Sequence, residues 1–128
     1  MSKAAQPSQR QLRAGELIRH ALAEIFLRGE TGDPELEHLD PTVVEVQISP
    51  DLKIATAFMR ALASGQEDAL LAALNRNRKY IRGLLAPKIN MKFMPEIRFR
   101  IDTALNYAEK IDELLKSPAV ARDLDPKK

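Results

Sequence analysis

The sequence predicts an α+β domain with helices packed on one face of a small three-stranded sheet. Three observations carry this prediction. Apolar residues recur at three- and four-residue spacing in two long stretches, and alternate with polar ones in short runs near residues 42–61 and 96–101. The two patterns follow one another without an internal repeat, giving the order helix, strand, strand, helix, broken helix, strand, helix.

Taken in order, residues 1–7 are polar and are expected to form a flexible tail. From Ser8 to Arg28, the residues Ala14, Ile18, Ala21, Leu22 and Ile25 form one helical stripe. "RGETGDPELEHLDP" then places two glycines and two prolines together, which reads as a loop of helix-stopping residues. "TVVEVQIS" alternates as a strand, with Val44, Val46 and Ile48 on one face and Thr42, Val43, Glu45 and Gln47 assigned to the other. "PD" at 50–51 is a tight turn into "LKIATAFMRAL", so these two strands should form an antiparallel hairpin. Ala55, Ala57, Met59 and Ala61 share one face of the second strand, small enough for helices to lie close.

A helix should open after Ser64–Gly65, with Glu67 and Asp68 in its first turn where the helix dipole favours acids. Its buried stripe begins at Leu70, Ala73 and Leu74, and resumes at Ile81, Leu84 and Leu85 before Pro87. Asn77 interrupts that stripe. "MPEIRFRID" alternates again, with Ile97, Phe99 and Ile101 inward and Arg98 and Arg100 outward. "ALNYAEKIDELLK" reads as a terminal helix, and residues 117–128 form a loose C-terminal tail, so the domain is expected to span 8–116.

Composition narrows the function. There is no cysteine, hence no disulfide framework, thiolate metal site or thiol nucleophile. His20 and His38 belong to no ligand pair, and no phosphate-binding glycine loop or nucleophile elbow occurs. Asp33, Glu35, Glu37 and Asp40 lack the spacing of a calcium loop and are expected to be solvated. Neither catalytic residue, metal nor cofactor is expected, and the protein is not expected to be an enzyme. No apolar run approaches the roughly 20 residues that span a bilayer, and "MSKAAQPSQRQLR" has no signal-peptide apolar core. A cytoplasmic monomer without membrane contact is the expectation.

The net charge of +2 conceals segregation. Residues 29–68 hold two Lys/Arg against nine acids, a net of −7, whereas residues 76–100 hold eight against the single acid Glu96, a net of +7. Arg76, Arg78, Lys79, Arg82, Lys88, Lys92, Arg98 and Arg100 make up that cationic block, and Arg10 and Arg13 add to it from the first helix. Such a block suits a polyanion such as nucleic acid, because arginine forms paired hydrogen bonds to phosphate. A merely solvated helix face is the competing reading, against which stands the lack of neutralising acids within the block. Aromatic residues are 5% of the chain, so base stacking is not expected to be the main mode of binding. Tyr80 is the aromatic residue set among the cations, and packing beside Ile81 is its alternative role.

Four stretches resemble the bacterial ribosome-binding factor A family. "ISPDLKIATAFM" is similar to its Ser-x-Asp-Leu hairpin, through Ser49, Asp51, Leu52 and Ala55. "MPEIRFRID" resembles its Pro-Glu-Leu/Ile-x-Phe-x-x-Asp strand, through Pro95, Glu96, Ile97, Phe99 and Asp102. "YIRGLLAPKINMKFMPEI" matches the preceding helix, and "RAGELIRHALAEIF" with "DPELE" fits the first helix and loop. The resemblance covers about residues 8–116. It implies a type II KH-like fold, helix–strand–strand–helix–kinked helix–strand. It also implies a non-enzymatic factor that binds the free small (30S) ribosomal subunit and assists late 16S rRNA maturation, including 5′-end processing. Ribosomal proteins are further candidate partners.

One departure bears on mechanism. RNA-binding KH domains clamp the backbone with a Gly-x-x-Gly loop, and the family resembles them but has an Ala-x-Gly kink there. The corresponding residues here are Asn77, Arg78 and Lys79, so the kink glycine is missing. Asparagine competes for nearby backbone groups and tolerates unusual dihedrals, so the kink is centred on Asn77 or the two helices run nearly continuously. Two other functions remain open at this point. The acidic 29–68 segment suits a protein–protein adaptor with a basic partner, and a small ligand-sensing α+β domain would need a polar pocket.

Overall fold

Ser8 starts the fold with a reciprocal helix cap. In the computed structural model, which describes residues 6–102, helix α1 (Gln9–Leu27) opens where Ser8 Oγ accepts from the Gln11 N–H at 3.1 Å. Gln11 Oε1 accepts in turn from the Ser8 N–H at 2.8 Å, so two N-terminal donors are satisfied. Gln11 Nε2 also donates to Ile48 O at 2.8 Å, tying the helix to the end of the first strand. The expected stripe of Ala14, Ile18, Ala21, Leu22 and Ile25 is buried along α1.

Strands β1 (Thr42–Ile48) and β2 (Ile54–Arg60) pair antiparallel, and β3 (Glu96–Ile101) joins β2 in parallel, giving the sheet order β1-β2-β3. The hairpin turn shows why serine and aspartate stand where they do. Ser49 Oγ accepts from the Lys53 and Ile54 N–H groups at 3.2 and 3.0 Å and donates to Asp51 Oδ1 at 2.7 Å. Those bonds replace the ladder where the chain reverses, and they let Leu52 sit in the left-handed region at φ 62°.

The expected facing of β1 needs correction. A bulge between Val43 and Glu45 shifts the register, so Val43, Val46 and Ile48 are buried whereas Val44 is only half-buried. One extra residue flips the alternation for everything before it, and alternation alone cannot locate it. β2 buries Ala55, Ala57 and Met59 as expected, with Ala61 buried just beyond the strand. β3 buries Ile97 and Phe99 and points Arg98 and Arg100 outward.

The stretch read as a loop holds a helix, α2 (Pro34–Leu39). Asp33 caps it by accepting from the Glu35 and Leu36 N–H groups, and Pro34 supplies a preset φ at the first helical position. Proline and glycine stop the preceding helix here, but the same proline starts the next one. Leu36 and Leu39 are its buried residues.

The second helical stretch divides at Asn77 into α3 (Glu67–Arg76) and α4 (Arg78–Leu85), and a 3₁₀ turn follows at Ala86–Lys88. Leu70, Ala73 and Leu74 of α3 and Ile81 and Leu85 of α4 enter one core with α1 and the inner faces of the strands. The terminal helix expected at "ALNYAEKIDELLK", the 117–128 tail and residues 1–5 of the expected N-terminal tail lie outside the described residues.

Candidate nucleic-acid interface

Asn77 has φ −99° and ψ 7°, outside the helical region, and its side chain stabilises the break. Nδ2 donates to Ala73 O at 2.9 Å and to Asp33 Oδ2 at 2.7 Å. The asparagine therefore answers a helix carbonyl on one side and the cap residue of α2 on the other. Arg76 continues this link, with Nη2 donating to Asp33 Oδ2 at 2.9 Å and to Glu35 Oε1 at 2.8 Å. Asn77, then Arg76 and two backbone N–H groups hold the Asp33 carboxyl down at about 2, well below its ordinary 3.8.

That shift predicts an acid-sensitive junction. Because the folded value is depressed, its stabilising contribution is fully present above about pH 4 and is lost as pH falls towards 2. Asp33→Asn should flatten the loss of stability across this window, measured by urea unfolding at successive pH values. An unchanged pH profile would show that the link between α2 and the helix junction contributes nothing.

The acids expected to be solvated therefore include partners for the cations, and two members of the cationic block, Arg76 and Lys88, are paired from outside its own sequence. Lys88 lies 3.4 Å from both Glu24 of α1 and Glu30, and Arg98 Nε lies 3.1 Å from Glu96 Oε2. Net charge along a segment could not show this, since the acids are up to 64 positions distant in sequence. Arg82 serves the backbone instead. Its Nε donates to Pro95 O at 3.0 Å and its Nη2 to Met94 O at 2.8 Å, holding the segment that enters β3.

The remaining cations fall into separate groups. Arg78 and Lys79 stand exposed in the first turn of α4, a turn without acids, and neither has an ion-pair partner among the described residues. Tyr80 beside them is 55% exposed, so it does not pack into the core with Ile81. Arg10 and Lys92 come together with Lys53 around a hollow at the hairpin end of the fold. Lys53 and the exposed Phe93 escaped the sequence reading, although the charge of Lys53 directly after the Ser-x-Asp-Leu turn was a usable signal. Arg100 stands over the Phe58 ring, 5.7 Å from its centroid, on the outer face of the sheet. Arg13 is exposed on α1.

This geometry can bind phosphate through side chains. It does not offer a backbone clamp, since no glycine occupies the junction and the Asn77 N–H already donates to Ala73 O and Leu74 O. Among the described residues no group of three or more His, Cys, Asp or Glu side chains is placed to hold a metal ion. No described helix is long and apolar enough to cross a membrane.

The family described as ribosome-binding factor A matches residues 10–115. A Chelativorans protein named ribosome-binding factor A is 55% identical over 92% of this chain and 89% of its own length. A Bradyrhizobium protein of the same name is 50% identical over 97% of this chain and 90% of its own. The crystal structure of ribosome-binding factor A from Thermus thermophilus superposes with a TM-score of 0.60 at 26% identity, covering 71% of this chain and 94% of that one. A homology model of the Thermus thermophilus factor, fitted into a cryo-EM map of its 30S complex, gives a TM-score of 0.53 at 28% identity over 66% and 86% of the two chains. The fold is KH-like, with α2 added between α1 and the hairpin. With a matching family across most of its length and relatives at half identity, the chain belongs to the ribosome-binding factor A family.

Proposed function

We propose that this protein binds the free small ribosomal subunit by gripping 16S rRNA phosphates and assists late maturation of that rRNA, including processing of its 5′ end. It does so in the cytoplasm, as a monomer, and without catalysing a reaction. The observation that carries the reading is the exposed pair Arg78 and Lys79, displayed at a helix junction without an acidic partner among the described residues. Arg76 and Asn77 set the geometry of that junction rather than contacting RNA, and Arg82 shapes the adjoining segment. The relative fitted into a 30S map supports the choice of partner.

The adaptor reading is weakened by the same contacts. Asp33, Glu35 and Glu30, which a basic partner would need, already engage Arg76 and Lys88 of this chain.

Cells in which the protein carries Arg78→Glu and Lys79→Glu should accumulate 16S rRNA with an unprocessed 5′ end, read by primer extension. Normal levels of mature 5′ ends, with the variant present at normal abundance, would overturn the maturation role.

A further inference from the structure

We propose that Phe93 is a stacking platform for one unpaired RNA base, set on the basic rim at the hairpin end of the fold. The inference rests on the RNA-binding reading above and adds the class of nucleotide and the residue that takes it. Phe93 is 75% exposed. A single exposed apolar side chain is ordinary, but this one is held out by an anchored segment. Met91 and Met94 on either side pack against the core, and Pro95 is buried. Arg82 fixes the carbonyls of Met94 and Pro95, and the Glu96 N–H donates to Lys53 O at 2.8 Å.

The surroundings favour a nucleotide over an apolar partner. Lys92 Nζ lies 5.6 Å from the Phe93 ring centroid, and Arg10 and Lys53 line the same hollow of about 400 Å³. Asp51 also lines it, but its Oδ1 accepts from Ser49 Oγ at 2.7 Å and the Lys53 N–H at 3.1 Å. Those bonds hold the Asp51 carboxyl below its ordinary value, so it stays an anion and offsets one of the three cations, leaving the rim net positive. Three cations around one exposed ring suit a base on the ring and phosphates on the rim. A ring can stack only on a base already free of its own helix, which selects single-stranded RNA.

The chain contains no tryptophan, so Phe93→Trp introduces a single, selectively excited tryptophan at the site. Full-length Phe93→Trp, Phe93→Leu and Phe93→Ala variants are titrated with a short single-stranded RNA of mixed sequence and with purified small subunits. Phe93→Trp should keep its affinity and its emission should be quenched on binding. Phe93→Ala and Phe93→Leu should each weaken binding by roughly 5- to 150-fold, the range for one stacked base. Their melting temperatures and the slope of log affinity against log salt should not change, because an exposed, uncharged ring is removed. Wild-type affinity in Phe93→Ala overturns the proposal. So does wild-type affinity in Phe93→Leu beside a weak Phe93→Ala, which would mark an apolar contact with a ribosomal protein. If Phe93→Ala binds normally while Arg78→Ala/Lys79→Ala binds weakly, stacking fails and the phosphate reading stands. Weak binding by Phe93→Ala and Phe93→Leu supports stacking even if Arg78→Ala/Lys79→Ala has no effect.

Discussion

Gly15→Ala is expected to destabilise the protein by about 1–3 kcal/mol, and Gly15→Val by more. A Cβ at Gly15 would stand 2.5 Å from Val46 O, a distance that real Cβ contacts essentially never reach. The obstructing atom belongs to the backbone of β1, so it cannot rotate away as a side-chain tip could. Relief requires α1 to lift from the strand, opening the contacts of Ile18 and Leu22, both fully buried. Helix propensity alone argues the opposite sign, since alanine is better than glycine in a helix interior by roughly 1 kcal/mol. Gly83 of α4 supplies the control, because nothing lies within 4 Å of its added Cβ and Gly83→Ala should stabilise. Urea denaturation of both variants decides it. If Gly15→Ala gains stability as Gly83→Ala does, the close packing of α1 on β1 is wrong.

The second large effect separates cations that build the fold from cations that face solvent. Arg82→Ala should cost about 1.5–3 kcal/mol of stability, the range for hydrogen bonds from a charged donor. It loses both bonds to the Met94 and Pro95 carbonyls, and lysine in its place could not reproduce the fork. Arg78→Ala and Lys79→Ala should each stay within about 0.5 kcal/mol of wild type, as surface changes do. Thermal and urea unfolding of the three variants test the division. Equal stability across all three would mean that Arg82 is one more solvated cation.

The fold was legible where one period ran unbroken. The stripe from Ala14 to Ile25, the alanine face of β2 and the alternation of Ile97 and Phe99 are each buried as their spacing requires. Reading failed where a single residue changes the rule. The bulge at Val43/Glu45 inverts a face without altering composition, and Pro34 both ends one element and begins another. Asn77 was legible as an interruption, but not its partner, because Asp33 lies 44 positions earlier.

The candidate site was half legible for the same reason. Clustering of Arg76 through Arg100 in sequence pointed to a basic surface, yet pairing is decided in space. Arg76 and Lys88 meet acids from α2, α1 and the loop between them, and Arg82 meets backbone. Phe93 lies in the family-like stretch "YIRGLLAPKINMKFMPEI", between the helical stripe and the strand alternation, where neither period assigns it a facing. Its 75% exposure shows that it faces outward, on a segment whose neighbours are anchored.

Side-chain charge at the helix junction, rather than a backbone clamp, is proposed to hold rRNA phosphate. The most direct test is the affinity of the purified protein for free small subunits as a function of salt, for wild type and Arg78→Ala/Lys79→Ala. Wild-type log affinity should fall linearly with log salt, and the double variant should lose about 1.4–1.8 from the slope, as two missing phosphate contacts require. Identical slopes for two equally folded proteins would contradict the claim.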